Sequence, residues 1–498
     1  MSTVVEAPPR SRLVYGVAGL VGAVLVALSG GYGYHGDELY FVAAGRHLAW
    51  GYPDQPPLTP LLARLMDLVA PDSLVVLRIP AAIAAALTVL FVGLIAREMG
   101  GRPRAQIIAA TSAAVSGLVL VPGHMLHTTT IDICLSAALT WLVVRVLRTG
   151  AERLLLAAGA VLGVGLLNKY QIAAVAIALV IGLAVAGPRG LLRSPWFAAG
   201  VLLALAIWAP NLWWQAQHGW PQFEMAQLIS ERGGNGARLG FIPLQLVYVS
   251  PFLAPLWIAG LVRLLRTPAF RFLGVAYLLL AAAFIAAGGS ALYLFGAYAA
   301  LLAAGGIAVD GWLERGANGR RVAIGASLVA SAAFVVPLAL PVVPLGGLST
   351  IPVVKLNGLT AEQFGWPELA ETVADVHRGL PTGQREHAIV LTENFGEAAA
   401  LERYGPALGL PAVYSGYRGY ADWGPPPETA TTVLLVGPGT KTGPPAWAVR
   451  ACRDGVRQVA ATNNDQGIKN KEQGGKVWLC SGLGESWATL WPGIRHLD

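Results

Sequence analysis

The hydrophobic residues of this chain are grouped in long blocks, each close to the ~20 residues that a membrane-crossing helix needs. Short polar stretches, several of them rich in arginine, separate the blocks. This alternation predicts an α-helical polytopic membrane protein with about eleven transmembrane helices. The candidate spans are 13–30, 75–97, 104–122, 130–148, 152–168, 170–186, 195–214, 241–264, 269–287, 291–309 and 321–344.

The composition points the same way. Of the 498 residues, 55% are hydrophobic and only 13% are charged, whereas a soluble domain is usually about one quarter charged. The net charge is +7, but residues 351–498 hold 13 Lys and Arg against 15 Asp and Glu. The positive charge therefore lies in the apolar part, and the chain has no basic domain of the kind that binds nucleic acid.

The distribution of arginine predicts the orientation. If the N-terminus is inside, the inner loops contain sixteen arginines, and the outer loops and helix ends contain six Lys and Arg. Loops on the cytoplasmic side carry such an excess. With an odd number of spans, residues 350–498 lie outside. We therefore expect a multi-pass protein of the cytoplasmic membrane whose C-terminal segment is extracytoplasmic.

Two of the predicted outer loops are long. Residues 31–74 and 215–240 mix aromatic residues, charges and short amphipathic stretches, which is typical of helices that lie along the membrane interface. Long ordered loops often form binding and catalytic sites. We therefore expect residues 1–349 to form a membrane domain in which these two loops contribute to a site.

The C-terminal segment follows a proline-rich junction and changes character. Apolar stretches bounded by Gly and Pro predict strands in HAIVLT, PAVYSG, TTVLLVG and KVWLC. Helices are predicted in ENFGEAAALERYG and WAVRACRDG. Residues 350–498 therefore read as a small α/β domain. Cys452 and Cys480 could pair there if the compartment is oxidising, and the sequence leaves that open.

The first candidate for chemistry is the pair Asp37 and Glu38, placed at the outer end of the first span. A carboxylate there could take a proton from a hydroxyl nucleophile or hold a divalent cation beside a phosphate. Alternatively, both acids are solvated charges that mark where the chain leaves the bilayer. Asp37, Tyr40 and Phe41 are spaced i, i+3 and i+4, so one helical turn would present them on the same face.

Two further candidates lie at the same predicted level. Asp132 stands just inside the fourth span, where ionisable residues are usually functional. Lys169, between the fifth and sixth spans, could stabilise the charge on a leaving phosphate, or it could be an interface lysine that extends towards water. A metal site formed by Asp37, Asp132 and His127 is also possible, although histidines in loops are more often simply polar. No cofactor is firmly predicted beyond that possible divalent cation.

Several motifs in this order resemble a known group. They are GDELYF, DQPPLTPLL, TTIDICL, LLNKYQ and GGSALYLFGAYAALLAAGG. The chain resembles the GT-C fold glycosyltransferases of families 39 and 83, which are the protein O-mannosyltransferases and the lipid A aminoarabinose transferases. The segments TENFGEAAALERYG and SGYRGYADWGPPP are similar to the extracellular end of bacterial members.

The resemblance implies an enzyme that moves a sugar, with inversion, from a polyprenyl-phosphate donor to a lipid, glycan or protein acceptor at the outer face of the membrane. Asp37 would be the catalytic base or an acceptor-binding acid, with Glu38 as its partner, and Asp132 would shape the site. The implied donor-binding residues are Lys169, Arg232, Tyr293, Gln55 and Tyr40.

The sequence also departs from the aminoarabinose branch. Gln55 and Tyr40 stand where that branch has a lysine and an arginine, and the late motif GGSALY lacks a basic residue. Three cationic positions are therefore neutral. This weakens a specificity for lipid A or aminoarabinose. It favours a different sugar, which could be a hexose or a pentose, a different acceptor, or phosphate contacts supplied by other residues.

Two other functions remain possible. Transporters and lipid flippases place ionisable groups near the middle of the membrane and often contain inverted repeats, whereas here the acids are predicted at the outer edge and no repeat is visible. A non-catalytic scaffold would leave Asp37, Glu38 and Asp132 without a reason to share one level. Glycosyl transfer is therefore the favoured interpretation.

Overall fold

The computed structural model describes residues 8–316, 318–348, 353–437 and 443–497, without the side chains of 229, 232–237, 353 and 355. The chain divides into two compact units. The first comprises Met1–Ser29, Gln55–Thr59 and Val75–Val342. The second comprises Gly30–Asp54, Pro60–Leu74 and Val343–Asp498. These units do not follow the boundary at residue 349, so the predicted linear division into two domains stays a prediction.

The first unit is built from apolar helices whose buried faces form one continuous core. Short 3₁₀ helices occur at Arg189–Arg193, Pro251–Leu253 and Ala291–Ala297. The α-helices with all or most of their residues in this unit are Arg12–Leu28, Leu74–Glu98, Pro103–Ala114, Gly117–Gly123, Thr128–Thr149, Leu154–Leu166, Gln171–Ala186, Pro195–Gln217, Pro221–Val249, Ala254–Arg266, Arg271–Ala286, Tyr298–Glu314 and Asn318–Ala339.

Five of these helical segments are long and apolar enough to cross a membrane. Two bent pairs could each form one more span: Pro103–Ala114 with Gly117–Gly123, bent by 47°, and Arg238–Val249 with Pro251–Arg266, bent by 89°. Four shorter apolar helices accompany them. Each of the eleven predicted blocks thus coincides with a helix or a bent pair, and the number of spans stays a prediction.

The predicted outer loop 215–240 is largely helical. Helix Pro195–Gln217 is followed within a few residues by helix Pro221–Val249. Proline is favoured in the first turn of a helix because the missing N–H needs no partner there. At the other end, Pro251 cannot donate the backbone hydrogen bond that would continue the helix. The predicted span 241–264 is therefore broken at Ser250 and Pro251.

Small residues bring helices of the first unit together. A Cβ atom added at Gly159, in helix Leu154–Leu166, would collide with the carbonyl oxygen of Gly200 in helix Pro195–Gln217. Membrane helices pack closely where glycine lets the two backbones approach. This contact fixes one wall of the helical unit without any polar interaction.

The second unit combines two loop helices with a C-terminal α/β fold. Its helix Leu58–Val69 begins at the end of the Gln55–Thr59 segment of the first unit. The helices are Gly36–Arg46, Leu58–Val69, Leu345–Leu348, Val353–Leu356, Gly358–Ala361, Trp366–Arg378, Thr382–Arg385, Phe395–Tyr404, Gly419–Asp422, Ala446–Ala451 and Trp487–Ile494, with a 3₁₀ turn at Pro406–Leu408.

The sheet of the second unit has five strands in the order β2-β1-β3-β5-β4. The strands are β1 Ala388–Thr392, β2 Val413–Ser415, β3 Thr432–Gly437, β4 Val456–Ala461 and β5 Lys476–Cys480. Strands β2, β1 and β3 are parallel to one another. Strand β5 runs antiparallel to both of its neighbours, β3 and β4. Every residue of β1 and β3 is buried, as expected for central strands covered on both faces.

Glycine also decides how the helix Gly36–Arg46 packs in the second unit. A Cβ atom at Gly36 would lie 3.3 Å from ring carbon Cζ2 of Trp366 and 3.8 Å from the Cα atom of Gly396. The starts of the helices Gly36–Arg46 and Phe395–Tyr404 therefore approach closely. The indole Nε1 of Trp366 donates a hydrogen bond of 3.0 Å to the Tyr34 carbonyl oxygen and strengthens this contact.

A disulfide joins Cys452 to Cys480. It links the residue that follows helix Ala446–Ala451 to the last residue of β5. The pairing that the sequence left open is therefore present. Cys134 is a free, buried cysteine in helix Thr128–Thr149.

Candidate active site

The helix Gly36–Arg46 starts with a reciprocal cap in which Glu38 takes part. The Nδ1 atom of His35 accepts a hydrogen bond of 3.1 Å from the Asp37 backbone N–H, and the Glu38 carboxylate accepts one of 3.0 Å from the His35 N–H. This is the capping-box arrangement, which satisfies N–H groups at a helix start. Glu38 is 0% exposed, so its carboxylate stabilises the helix from inside the unit.

Asp37 has a different environment. Its side chain is 29% exposed, and its Oδ2 atom lies 3.9 Å from His35 Nδ1. The positive charges of Arg418 and Lys471 interact with it, and so does the like charge of Asp54. The helix N-terminus adds a partial positive charge. Asp37 is therefore a partly exposed carboxylate that a substrate hydroxyl could reach, as a general base requires.

A chain of polar contacts fixes the orientation of His35. Its Nε2 atom lies 3.4 Å from Oε2 of Glu362, and Oε1 of the same carboxylate lies 2.8 Å from the Lys471 ammonium. Because Nδ1 accepts a hydrogen bond from the backbone, a neutral ring carries its proton on Nε2. Nε2 is near Glu362 but has no hydrogen-bond partner among the described residues. The cap that positions Asp37 thus depends on residues near the other end of the sequence.

Tyr40 is part of a buried network in the second unit. Its hydroxyl donates a 2.9 Å hydrogen bond to Asp54 Oδ1 and accepts one of 3.2 Å from the Gly419 N–H. Arg418 Nη1 lies 3.4 Å from Asp54 Oδ2. Burial raises the pKa of Asp54, although Arg418 opposes the rise. Tyr40 therefore holds the loop together, and its hydroxyl is already occupied by partners within the unit.

A second polar cluster lies in the first unit around Asn168 and Lys169. Thr59 Oγ1 donates a 2.8 Å hydrogen bond to Asn168 Oδ1, and Asn168 Nδ2 donates one of 2.8 Å to the Thr128 carbonyl oxygen. The Lys169 ammonium donates one of 2.9 Å to Thr129 Oγ1. These bonds tie the segment Gln55–Thr59, the start of helix Thr128–Thr149 and the end of helix Leu154–Leu166 to one another.

Two buried groups of the first unit keep unused hydrogen-bonding capacity. Asp132 and Gln55 are each 5% exposed. Within the described part of the chain, neither Asp132 Oδ1 nor Gln55 Nε2 has a hydrogen-bond partner. Lys169 interacts electrostatically with Asp132. Buried polar atoms without a partner are costly. These two are therefore candidate ligand contacts, although other buried atoms of the described residues also lack a partner.

Comparisons with known proteins address the fold. Residues 54–214 match the family model of the dolichyl-phosphate-mannose-protein mannosyltransferases. No curated protein sequence matches the chain. The crystal structure of ArnT from Cupriavidus metallidurans in the apo state is 16% identical, with a TM-score of 0.57 over 94% of this chain and 97% of that one. The structure of the same protein bound to undecaprenyl phosphate is 17% identical in sequence, with a TM-score of 0.57 over 94% of this chain and 97% of that one.

Two other solved structures are similar over much of the chain. The Archaeoglobus fulgidus oligosaccharyltransferase, in complex with zinc and sulfate, is 14% identical, with a TM-score of 0.50 over 86% of this chain and 68% of that one. The arabinofuranosyltransferase AftD from Mycobacteria is 15% identical in sequence. Its TM-score is 0.52, and the match covers 96% of this chain and 40% of that one. The chain has the GT-C fold. The predicted resemblance is confirmed, as is the predicted class of a multi-pass helical membrane protein with a small C-terminal α/β part.

The remaining predicted residues are distributed over this GT-C fold as follows. His127 caps helix Thr128–Thr149, because its Nδ1 atom accepts a 3.1 Å hydrogen bond from the Thr129 N–H. Tyr293 lies in the 3₁₀ helix Ala291–Ala297, with its ring centroid 5.6 Å from that of Phe284. The side chain of Arg232 lies outside the described residues. None of these positions by itself assigns a role in binding the donor.

The described residues do not form a divalent-cation site. They contain no group of three or more His, Cys, Asp or Glu side chains arranged to hold a metal ion. Asp37 belongs to the second unit, and Asp132 and His127 belong to the first. The predicted metal ligands Asp37, Asp132 and His127 are therefore not found as a ready-made ligand group.

The GT-C fold thus presents the predicted residues in two groups. Lys169, Asp132 and Gln55 belong to the polar cluster of the first unit, while Asp37, Glu38 and Tyr40 belong to the second unit. The assignment of all of them to one outward-facing pocket stays a prediction. Asp54 and Arg418, which fix Tyr40, were not identified from the sequence, since no local pattern connects residues so far apart in the chain.

Proposed function

We propose that this protein is a membrane glycosyltransferase that uses a polyprenyl-phosphate-linked sugar as donor. The observation that carries the proposal is the likeness in fold, over nearly the whole length of both chains, to an ArnT that was solved with undecaprenyl phosphate bound. The match of residues 54–214 to the mannosyltransferase family model supports it. Fold alone does not define a reaction. The roles of residues in donor binding and catalysis therefore depend on individual side chains.

The first-unit cluster is proposed to bind the donor phosphate. As the bond between the sugar and the phosphate breaks, negative charge grows on the phosphate oxygens. A positioned ammonium group lowers the energy of that charge more in the transition state than in the ground state. Lys169 supplies such a group, and the unpartnered Nε2 of the buried Gln55 supplies a neutral donor. Gln55 would replace the lysine found in the aminoarabinose branch and leave the site less positive.

Asp37 is proposed to be the general base. It would accept the proton of the acceptor hydroxyl while that oxygen forms a bond to the anomeric carbon. The bond between the anomeric carbon and the phosphate oxygen breaks with its electron pair on the phosphate. Attack from the face opposite the leaving group inverts the anomeric configuration. Glu38 would act through its cap on the helix start, as a positioning residue for Asp37.

The reaction is proposed to occur on the extracytoplasmic side. The Cys452–Cys480 disulfide supports this orientation, because structural disulfides persist in oxidising compartments and are rare in the cytosol. The excess of arginine in the predicted inner loops supports it independently. Residues 350–498 would then lie outside, together with Asp37.

The identity of the sugar can be tested directly. Purified protein in sealed liposomes is incubated with a panel of polyprenyl-phosphate hexoses and pentoses, each with a hydroxyl acceptor mixture. Released polyprenyl phosphate and the leaflet that holds the intact donor are both measured. We expect release from at least one donor. Movement of intact donor across the bilayer without release would instead identify a transporter, and release from none of the donors would contradict the proposal.

The role of Asp37 is tested in the same assay. Asp37→Asn keeps the size of the side chain but removes the base, and transfer should fall at least ~100-fold, the usual contribution of general base catalysis. Asp375→Asn is the matched control, since Asp375 is an aspartate of the same unit with a 71% exposed side chain. Equal activity in the two variants would refute the assigned role.

A further inference from the structure

The second unit contains a cavity that the proposed chemistry does not use. Its volume is about 510 Å³, within the range of sites that enclose small molecules. It is lined by the end of helix Gly36–Arg46, by helix Phe395–Tyr404, by the 406–414 segment that leads into β2, and by residues 420–424. Several separate chain segments therefore close around one compact space.

The aromatic lining is arranged in a fixed way. The imidazole of His47 stacks on the indole of Trp423, with ring centroids 4.3 Å apart and an interplanar angle of 13°. Tyr420 packs against Trp423 with centroids 4.3 Å apart. Burial, reinforced by Arg46, lowers the pKa of His47, so this ring is neutral at pH 7. These rings form a rigid apolar wall.

Two polar groups in the same lining retain bonding capacity. Among the described residues, the guanidinium of Arg46 has no hydrogen bond or ion pair. Glu402 accepts a 2.8 Å hydrogen bond from the Tyr420 hydroxyl through Oε2, and no described residue donates to its Oε1. One donor and one acceptor thus line a single cavity.

The charge of the lining is close to balanced. Arg46 contributes one positive charge, and it interacts electrostatically with Glu402. Burial raises the pKa of Glu402, against the opposing effects of Tyr420 and Arg46. A strongly charged ligand would find little net attraction here. The ligand best matched to an aromatic wall with a few separated donors and acceptors is uncharged, compact and rich in hydroxyl groups.

We propose that this cavity binds an uncharged sugar residue. The apolar face of the sugar ring would pack on the aromatic wall, and its hydroxyls would bond to Arg46 and to Glu402 Oε1. Resting on the proposed transferase function, the bound sugar would belong to the acceptor, which makes the acceptor a glycan. The cavity would then hold a part of that glycan which does not itself react.

A peptide is the competing ligand. Strand β2 is at the edge of the sheet, and an extended peptide could add to such an edge. However, β2 is only three residues long, and the cavity is closed by segments from several directions, which suits a ring better than an extended chain. The test therefore includes a peptide as an alternative probe.

The experiment uses the full chain in nanodiscs and saturation-transfer NMR. The probes are methyl glycosides of neutral hexoses and pentoses, their disaccharides, and a proline-rich peptide. We expect ring-proton signals from at least one saccharide and a dissociation constant raised at least tenfold in Arg46→Ala and in Glu402→Gln. Arg385→Ala, an exposed arginine of the same unit outside the cavity, should bind like the wild type.

Melting temperatures of all variants show whether the fold is kept, and Glu402→Gln removes the charge of the carboxylate without changing the size of the side chain. No saccharide binding, or binding unchanged in both cavity variants, would overturn the proposal, as would binding of the peptide in place of the sugars. The binding experiment contains no donor, so no transfer takes place and no base is needed. Asp37→Asn should therefore still bind saccharide in the cavity. Loss of transfer with retained binding therefore separates this proposal from the proposed catalytic role.

Discussion

The two polar clusters of this protein differ in how far their groups satisfy one another. In the second unit, Asp54 receives a hydrogen bond from Tyr40 and an ion pair from Arg418, and Tyr40 is bonded on both sides. The acid and the hydroxyl of this network therefore have partners, although the Nε atom of Arg418 has none among the described residues. In the first unit, Lys169 and Asn168 are bonded to neighbours, but Asp132 Oδ1 and Gln55 Nε2 have no hydrogen-bond partner among the described residues.

This difference separates structural roles from functional ones. A polar network whose acid and hydroxyl groups have partners stabilises and orients the chain, and its loss should reduce stability. A buried cluster with unused donors and acceptors lowers stability when no ligand is bound. Such a cluster is kept where its groups bind a substrate. Mutations in the first cluster should therefore affect transfer more than folding, and mutations in the second should do the reverse.

The largest effect is expected from Lys169→Met. Removal of a charge-stabilising donor typically lowers kcat about 100- to 1,000-fold, while the melting temperature should change little because the methionine fills similar space. Transfer and thermal unfolding are measured on the same preparation. Lys469→Met, at an exposed lysine, is the control. If Lys169→Met unfolds the protein and leaves specific activity intact, the assignment of the two clusters is reversed.

The disulfide should give the next largest effect, on stability. Its cysteines are separated by 28 residues, and closing a loop of that size stabilises a fold by about 3 kcal/mol. The double variant Cys452→Ala, Cys480→Ala should therefore unfold earlier in a denaturant titration. Reductant should shift the wild type towards the variant and leave the variant unchanged. If reductant does not change the unfolding midpoint of the wild type, the disulfide adds no stability in solution.

Arg418→Met probes the closed network itself. It leaves Asp54 without its ion-pair partner, and we expect a loss of about 2 kcal/mol, less than for a fully buried pair because Arg418 is partly exposed. Arg378→Met removes a matched ion pair whose side chains are more than half exposed, and it should cost below ~0.5 kcal/mol. Equal losses in these two variants, measured by chemical unfolding, would show that the network is not special.

The smallest effect is a pH dependence at Glu402. Because burial raises its pKa in the folded state, wild-type stability should fall as the pH rises through that pKa, where the buried carboxyl must ionise. Glu402→Gln does not titrate and still accepts from Tyr420. Its melting temperature should exceed that of the wild type near neutral pH, and the gap should close as the pH falls. A gap independent of pH would contradict this.

Much of the architecture could be predicted because short stretches of apolar and polar residues indicate the helices and strands. Every predicted apolar block coincides with a helix, and the strands β1, β2, β3 and β5 lie in the stretches where they were expected. Strand β4 was missed. Its residues Arg457 and Gln458 are exposed, so it lacks the apolar run that predicts a strand, and its conformation depends on pairing with β5.

The site was predicted less completely, and the reason is chain separation. Glu38 could be identified as an unusual acid, but its capping role depends on a histidine as N-cap, which differs from the usual Ser, Thr, Asp or Asn. The contact between Tyr40 and Gly419 spans 379 residues. No local pattern predicts such a pair, and the assignment of Tyr40 to the donor site stays a prediction.

The composition of the second unit from three chain segments has a consequence for how the protein is made. The segment that carries Asp37 is synthesised early, whereas the residues that pack against it, among them Trp366, Gly396 and Gly419, are synthesised last. The early segment must wait until almost all of the helical unit has been made. A ribosome that stalls beyond the last apolar helix would release a chain able to enter the membrane whose helix Gly36–Arg46 has nothing to dock on.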